Sequence, residues 1–122
     1  MWQTILLVGC GGFAGAVARY LLGRLLAVDG LPLATLCINL AGCLIIGLLM
    51  GLSQRHQWLS PAVMALLVTG FCGSFTTFST FANELWVAGN NQQWLIAALY
   101  LLISVAGGFG MVILGRALAR LL

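Results

Sequence analysis

Charge is what this sequence of 122 residues has least of. Five arginines, two acids and no lysine make up 6% of it, against roughly a quarter in an ordinary soluble domain. A soluble fold needs a polar shell, and Arg19, Arg24, Asp29, Arg55, Glu84, Arg116 and Arg120 cannot supply one. The net charge of +3 is thinly spread and contains no basic run, which excludes a nucleic-acid footprint. Proline occurs only at Pro32 and Pro61, so few positions interrupt a helical pattern. The single histidine, His56, falls in a polar link, where a solvated loop residue is expected. Cys10, Cys37, Cys43 and Cys72 lie in apolar segments without the paired spacing of metal ligands, and they read as small buried apolar residues. No nucleophile, base and orienting group come together in the pattern, so an enzyme is not expected.

What is present is apolar. Hydrophobic residues make up 62% of the chain, and the mean hydropathy is +1.12. The charges leave uncharged windows at 2–18, 30–54, 57–83 and 85–115, each long enough, alone or slightly extended, for a spanning helix of about 20 residues. The first window lacks a positive n-region and continues apolar past Arg19, so it reads as a retained helix rather than a leader. Helices are predicted over about 2–27, 33–52, 61–88 and 94–119, in one transmembrane domain covering 1–122. Asp29-Gly30-Leu31-Pro32, Ser53 to Gln57, and Gly89 to Gln93 are the turns. Ser60-Pro61 offers an N-cap and a first-turn proline to the third helix.

Four spans put the N-terminus, the 53–57 link and the C-terminus on one side, with Arg55, Arg116 and Arg120. Arg24, offset by Asp29, lies on the other, with Arg19 nearby. Such a small arginine asymmetry orients a chain weakly and is compatible with insertion both ways. The sixteen glycines include Gly11 and Gly15, Gly47 and Gly51, and the cluster Gly107, Gly108 and Gly110. In lipid, such residues let helix backbones approach closely. Gly9 to Ala14 also matches a dinucleotide-binding fingerprint, with Asp29 twenty residues after Gly9. No strand precedes it, so that reading fails.

The third segment is unlike the others. Gly70-Phe71-Cys72-Gly73-Ser74-Phe75-Thr76-Thr77-Phe78-Ser79-Thr80-Phe81 places glycines, hydroxyls and phenylalanines together in the middle of the membrane. A continuous helix hides such hydroxyls on its own carbonyls. Contiguous polar residues that do not share one face point instead to a broken helix, whose freed backbone groups can bind ions. Phe78 and Phe81, three apart, share a face after the break. Packing is the ordinary role of such rings, but their positive edges can also favour a small anion. Asn39, with Thr35 one turn before it, is the strongly polar residue of the second helix. Its carboxamide serves either an interhelical hydrogen bond or an anion. Tyr100 and Ser104 form a polar stripe at i,i+4 on the fourth helix. Arg19 and Glu84 are the ionisable residues deepest in the helical pattern, and such groups face protein or water.

Three stretches carry a family resemblance: Gly11 to Tyr20, Ala34 to Gly42, and Gly70 to Phe81. In order, spacing and total length the chain resembles the Fluc (CrcB) fluoride channels over its whole extent. The resemblance implies a passive, fluoride-selective channel of the bacterial inner membrane that relieves cytoplasmic fluoride. It implies an antiparallel, dual-topology homodimer with two pores. It implies that backbone carbonyls of Gly73 and Thr76 hold a central sodium ion, a hard cation suited to oxygen ligands. Asn39, Phe78, Phe81, Ser79, Thr80, Tyr100 and Ser104 would line the fluoride pore, with Arg19 and Glu84 as organising or vestibule residues. Ser74 stands where glycine is common in the family, a change expected to be harmless if the backbone there is helical. Gly110 stands where some members have a further hydroxyl.

A small multidrug exporter, also a short four-helix dual-topology dimer, is the alternative. It requires a carboxylate deep in the first helix, and the deep charge there is Arg19.

Overall fold

The computed structural model describes residues 1–122, and all its regular elements are helical. Four segments are long and apolar enough to cross a membrane: Trp2–Leu25, Leu33–Ser53, Pro61–Asn90 and Trp94–Ala119. We name the first two α1 and α2 and the last α5. The third is two helices, α3 over 61–75 and α4 (Phe78–Asn90), separated by Thr76 and Thr77. At about 1.5 Å per residue, each half is roughly 20 Å long, which puts the break near the middle of the bilayer core.

Local chemistry explains the ends. Gly30 sits at φ 76°, a conformation that favours glycine, and it closes the turn in which Leu31 N donates to Val28 O at 3.2 Å. Ser60 Oγ accepts from Val63 N at 3.4 Å, and Pro61 occupies the first turn of α3. Arg55, in the link after α2, donates to the terminal carbonyls of Ala119 and Arg120. A cation there satisfies the orphan carbonyls at the end of α5 and opposes its dipole. Trp2 and Trp58 lie exposed toward one side of the membrane, and Trp86 and Trp94 toward the other, where amphipathic rings meet headgroups.

The glycines set the packing. A methyl group on Gly11 or Gly15 would collide with the backbone of Leu66 or Phe71, and Gly70 lies against Val8 and Gly11. α1 and α3 are therefore in backbone contact. In the same way Gly47 lies against Val112, Gly51 against Ala119, and Gly115 against Leu44 and Leu48, bringing α2 onto α5. Wide, π-type turns run over Ala65–Cys72 in α3 and Ile103–Gly107 in α5; the residue pattern shows no sign of either. Only 18 of 122 residues are buried, so most of the apolar surface is left for lipid and for other protein.

These contacts make a test. Gly15→Ala and Gly47→Ala are each expected to destabilise the chain by about 1–3 kcal/mol, the cost of overpacking. Gly9 and Gly110 have open space around the Cβ position, so alanine there is expected to change stability by under about 0.5 kcal/mol. Denaturant unfolding in detergent micelles checks both pairs.

Candidate functional site

Thr76 (φ −79°, ψ 159°) and Thr77 (φ −149°, ψ 115°) are extended, and this ends α3. Thr77 does three things at once. Its Oγ1 caps α4 by accepting from Thr80 N at 3.3 Å. The same hydroxyl donates to Thr80 Oγ1 at 3.0 Å and lies 3.4 Å from Ser79 Oγ. Its peptide group is gripped from α2: Thr77 N donates to Asn39 Oδ1 at 2.8 Å, and Asn39 Nδ2 donates to Thr77 O at 3.1 Å. The carboxamide thus replaces two backbone partners that the break removes.

Just before the break, Thr76 N and Thr76 Oγ1 both donate to Cys72 O, at 3.1 and 2.9 Å. Arg19 of α1 reaches the Thr76 carbonyl at 3.5 Å. Thr77 N is spent on Asn39, so no amide returns to Gly73 O as it would in a continuous helix. Gly73 is exposed, and a Cβ added to it would meet only Val68 O at 3.7 Å. The cation donors on offer are therefore backbone carbonyls. No three His, Cys, Asp or Glu side chains form a metal cluster. Neutral oxygens of this kind fit a hard, low-charge cation better than a soft or transition metal.

A cavity of about 390 Å³ opens beside the break. It is lined by Asn39, Gly73, Thr76, Phe78, Phe81 and Ser104, together with Thr77, Cys43 and Cys72. Six of the residues singled out from the sequence thus meet at one place. Phe78 and Phe81 are tilted neighbours with centroids 5.8 Å apart. Phe78 is 79% exposed at the protomer surface, whereas Phe81 is 7% exposed. Ser104 Oγ is buried in the cavity wall without a hydrogen-bond partner, an unsatisfied hydroxyl that a ligand would suit.

The other singled-out residues lie elsewhere. Tyr100 is turned away from the cavity: its hydroxyl donates to Glu84 Oε2 at 2.7 Å, and its ring meets Phe81 edge-on at 5.0 Å. Thr35 Oγ1 donates to the other oxygen, Glu84 Oε1, at 2.8 Å. Glu84 is thus held between two hydroxyls from α2 and α5. Its other surroundings form a smaller cavity near Pro32, Asn91 and Gln93. Ser79 and Thr80 are exposed on α4, their hydroxyls drawn toward Thr77. Tyr100 and Ser104 do not share one stripe, because the wide turn starting at Ile103 intervenes. Cys10 and Cys37 are exposed rather than buried; Cys43 is half-buried and Cys72 buried. Their helices turn those two small side chains outward. Ser74 is in helical backbone, its hydroxyl over Gly12. Thr77 is the residue that the sequence reading missed; two threonines in a row, with Thr80 at the N3 position behind Thr77, were the available signal.

Residues 6–116 match the family described as CrcB-like protein, Camphor Resistance (CrcB). The chain belongs to the CrcB family. Its relatives include a fluoride-specific ion channel FluC of Prosthecochloris aestuarii, 44% identical over 121 residues, covering 98% of this chain and 94% of the relative. The FluC of Chlorobium phaeobacteroides is 43% identical over 122 residues, with 98% and 95% covered. The FluC of Methanococcus maripaludis is 44% identical over 115 residues, with 93% of each chain covered. In this CrcB chain α1 carries no carboxylate, and the acid within the membrane, Glu84, is held by hydroxyls on both oxygens. The exporter alternative therefore lacks the group it depends on.

Proposed function

We propose that the chain is a fluoride-selective passive channel of the bacterial inner membrane, working as an antiparallel homodimer with two pores. One observation carries the reading: a helix broken mid-membrane, with neutral donors and ring edges gathered around one cavity at its side. Fluoride is small and strongly hydrated, so dehydrating it requires several donors at close range. The cavity offers the unpaired Ser104 hydroxyl and the second hydrogen on Asn39 Nδ2. It also offers the edges of Phe78 and Phe81, whose partial positive charge favours an anion without a fixed cation. Tyr100, Ser79 and Thr80 support these groups from behind.

The cavity is open on the protomer surface and Phe78 projects there, so a second copy is the natural wall. The small arginine asymmetry lets the two copies insert in opposite senses. Between them, the carbonyls of Gly73 and Thr76 from each chain would hold a sodium ion. Bound there, the ion supplies positive potential that favours an anion nearby. Arg19, donating to the Thr76 carbonyl, holds that carbonyl in place.

Liposomes reconstituted with the protein and loaded with fluoride test the proposal. Rapid fluoride efflux is expected, with chloride retained because a larger halide fits the same donors poorly. Chloride efflux at a comparable rate, or no fluoride efflux, overturns it.

A further inference from the structure

We infer that Asn39 is a positioning residue for the cation site: by taking the Thr77 amide it keeps the Gly73 carbonyl free for the ion. This rests on the cation reading proposed above. In an uninterrupted helix the amide of Thr77 would return to Gly73 O. An orphaned amide and an orphaned carbonyl in an apolar bilayer each carry a large desolvation penalty. The break would therefore close on itself unless the Thr77 amide had another acceptor.

Asn39 Oδ1 is that acceptor, at 2.8 Å. The same carboxamide meets the Thr77 carbonyl at 3.1 Å, so both halves of the Thr77 peptide group are paired by one side chain. Cys72 O accepts twice from Thr76, and Thr76 O receives Arg19 on one lone pair and keeps the other. Gly73 O is left without a backbone donor because its helical partner, Thr77 N, is taken. Asn39 thus serves two sites. Its oxygen frees a carbonyl on the cation side, and its carboxamide lines the cavity with one Nδ2 hydrogen not used by Thr77. A substitution here acts on cation occupancy as well as on the anion path.

The test is a sodium titration of the purified protein in detergent, with N-methylglucamine as the replacing cation and the dimer fraction as the readout. Wild type is expected to be stabilised by sodium. Asn39→Ala is expected to raise the half-saturating sodium concentration at least about tenfold, roughly 1.4 kcal/mol. Gly9→Ala, at a position with open space around the Cβ and outside the cavity, is expected to keep the wild-type value. An unchanged sodium response in Asn39→Ala overturns the inference while leaving the cation reading standing. No sodium response in wild type overturns the cation reading and the inference with it. If Asn39→Ala does not assemble, Asn39→Asp decides. It retains the oxygen on the Thr77 amide and loses the amide donor. Its half-saturating sodium is expected to be no higher than that of wild type, while fluoride efflux falls. A higher value overturns the inference.

Discussion

Truncating Phe81 to alanine is expected to lower both stability and fluoride flux, whereas truncating Phe78 lowers flux alone. The two rings are neighbours, with centroids 5.8 Å apart, and both line the cavity. Their surroundings differ. Phe81 is 7% exposed and packs edge-on against Tyr100, whose hydroxyl is fixed by Glu84. Removing a buried phenylalanine side chain costs about 3–5 kcal/mol, and Tyr100 loses its neighbour as well. Phe78 is 79% exposed in the protomer, so its removal leaves no internal void. A ring edge is worth about 0.5–1.5 kcal/mol. Losing it along the anion path therefore slows flux up to about tenfold. Thermal unfolding in detergent and fluoride efflux from liposomes, measured on the same two variants, separate the effects. Wild-type efflux in Phe78→Ala would remove that ring from the path. Wild-type stability in Phe81→Ala would contradict the packing described here.

Glu84→Leu is expected to destabilise the chain by about 2–6 kcal/mol, because two hydroxyls lose one acceptor. Thr35 and Tyr100 donate to separate oxygens of the carboxylate, at 2.8 and 2.7 Å. Each buried hydroxyl left unpaired costs about 1–3 kcal/mol. Glu84→Gln is expected to cost only about 1 kcal/mol: its oxygen still accepts from one hydroxyl, and the other hydroxyl can rotate to accept from its amide. A double substitution with Tyr100→Phe sharpens the test. Once the leucine is present, removing the tyrosine hydroxyl is expected to cost less than it does in wild type. Strict additivity in denaturant unfolding would mean that the two groups do not interact.

Much of the broken helix was legible from Gly70 to Phe81, because contiguous hydroxyls cannot all hide on one helical face. Its position at Thr76 and Thr77, however, depends on Asn39, 38 residues earlier. Asn39 was legible as a buried polar residue, but its partner was not. Of the two roles open to its carboxamide, the interhelical hydrogen bond is present: Asn39 Nδ2 donates to the Thr77 carbonyl. Tyr100 and Ser104 looked like one stripe because α-helical spacing was assumed; the wide turn from Ile103 separates a tyrosine facing Glu84 from a serine facing the cavity. Nothing local marks such a turn. Glu84 was recognised as out of place in lipid, but its bond to Thr35 spans 49 residues and leaves no trace in the pattern around either one.

The sequence by itself determined that the chain lives in a bilayer as four spans, and where those spans turn. Hydropathy, proline and glycine act locally, and their effects sum along the chain. It also marked Gly70 to Phe81 as the place where regular helix gives way. Only the tertiary structure decided which polar groups satisfy one another and which are left over. In an apolar medium, an unpaired donor or acceptor seeks any partner within reach, however distant in the chain. The cavity is the place where that pairing stops, with Gly73 O and Ser104 Oγ left unmatched.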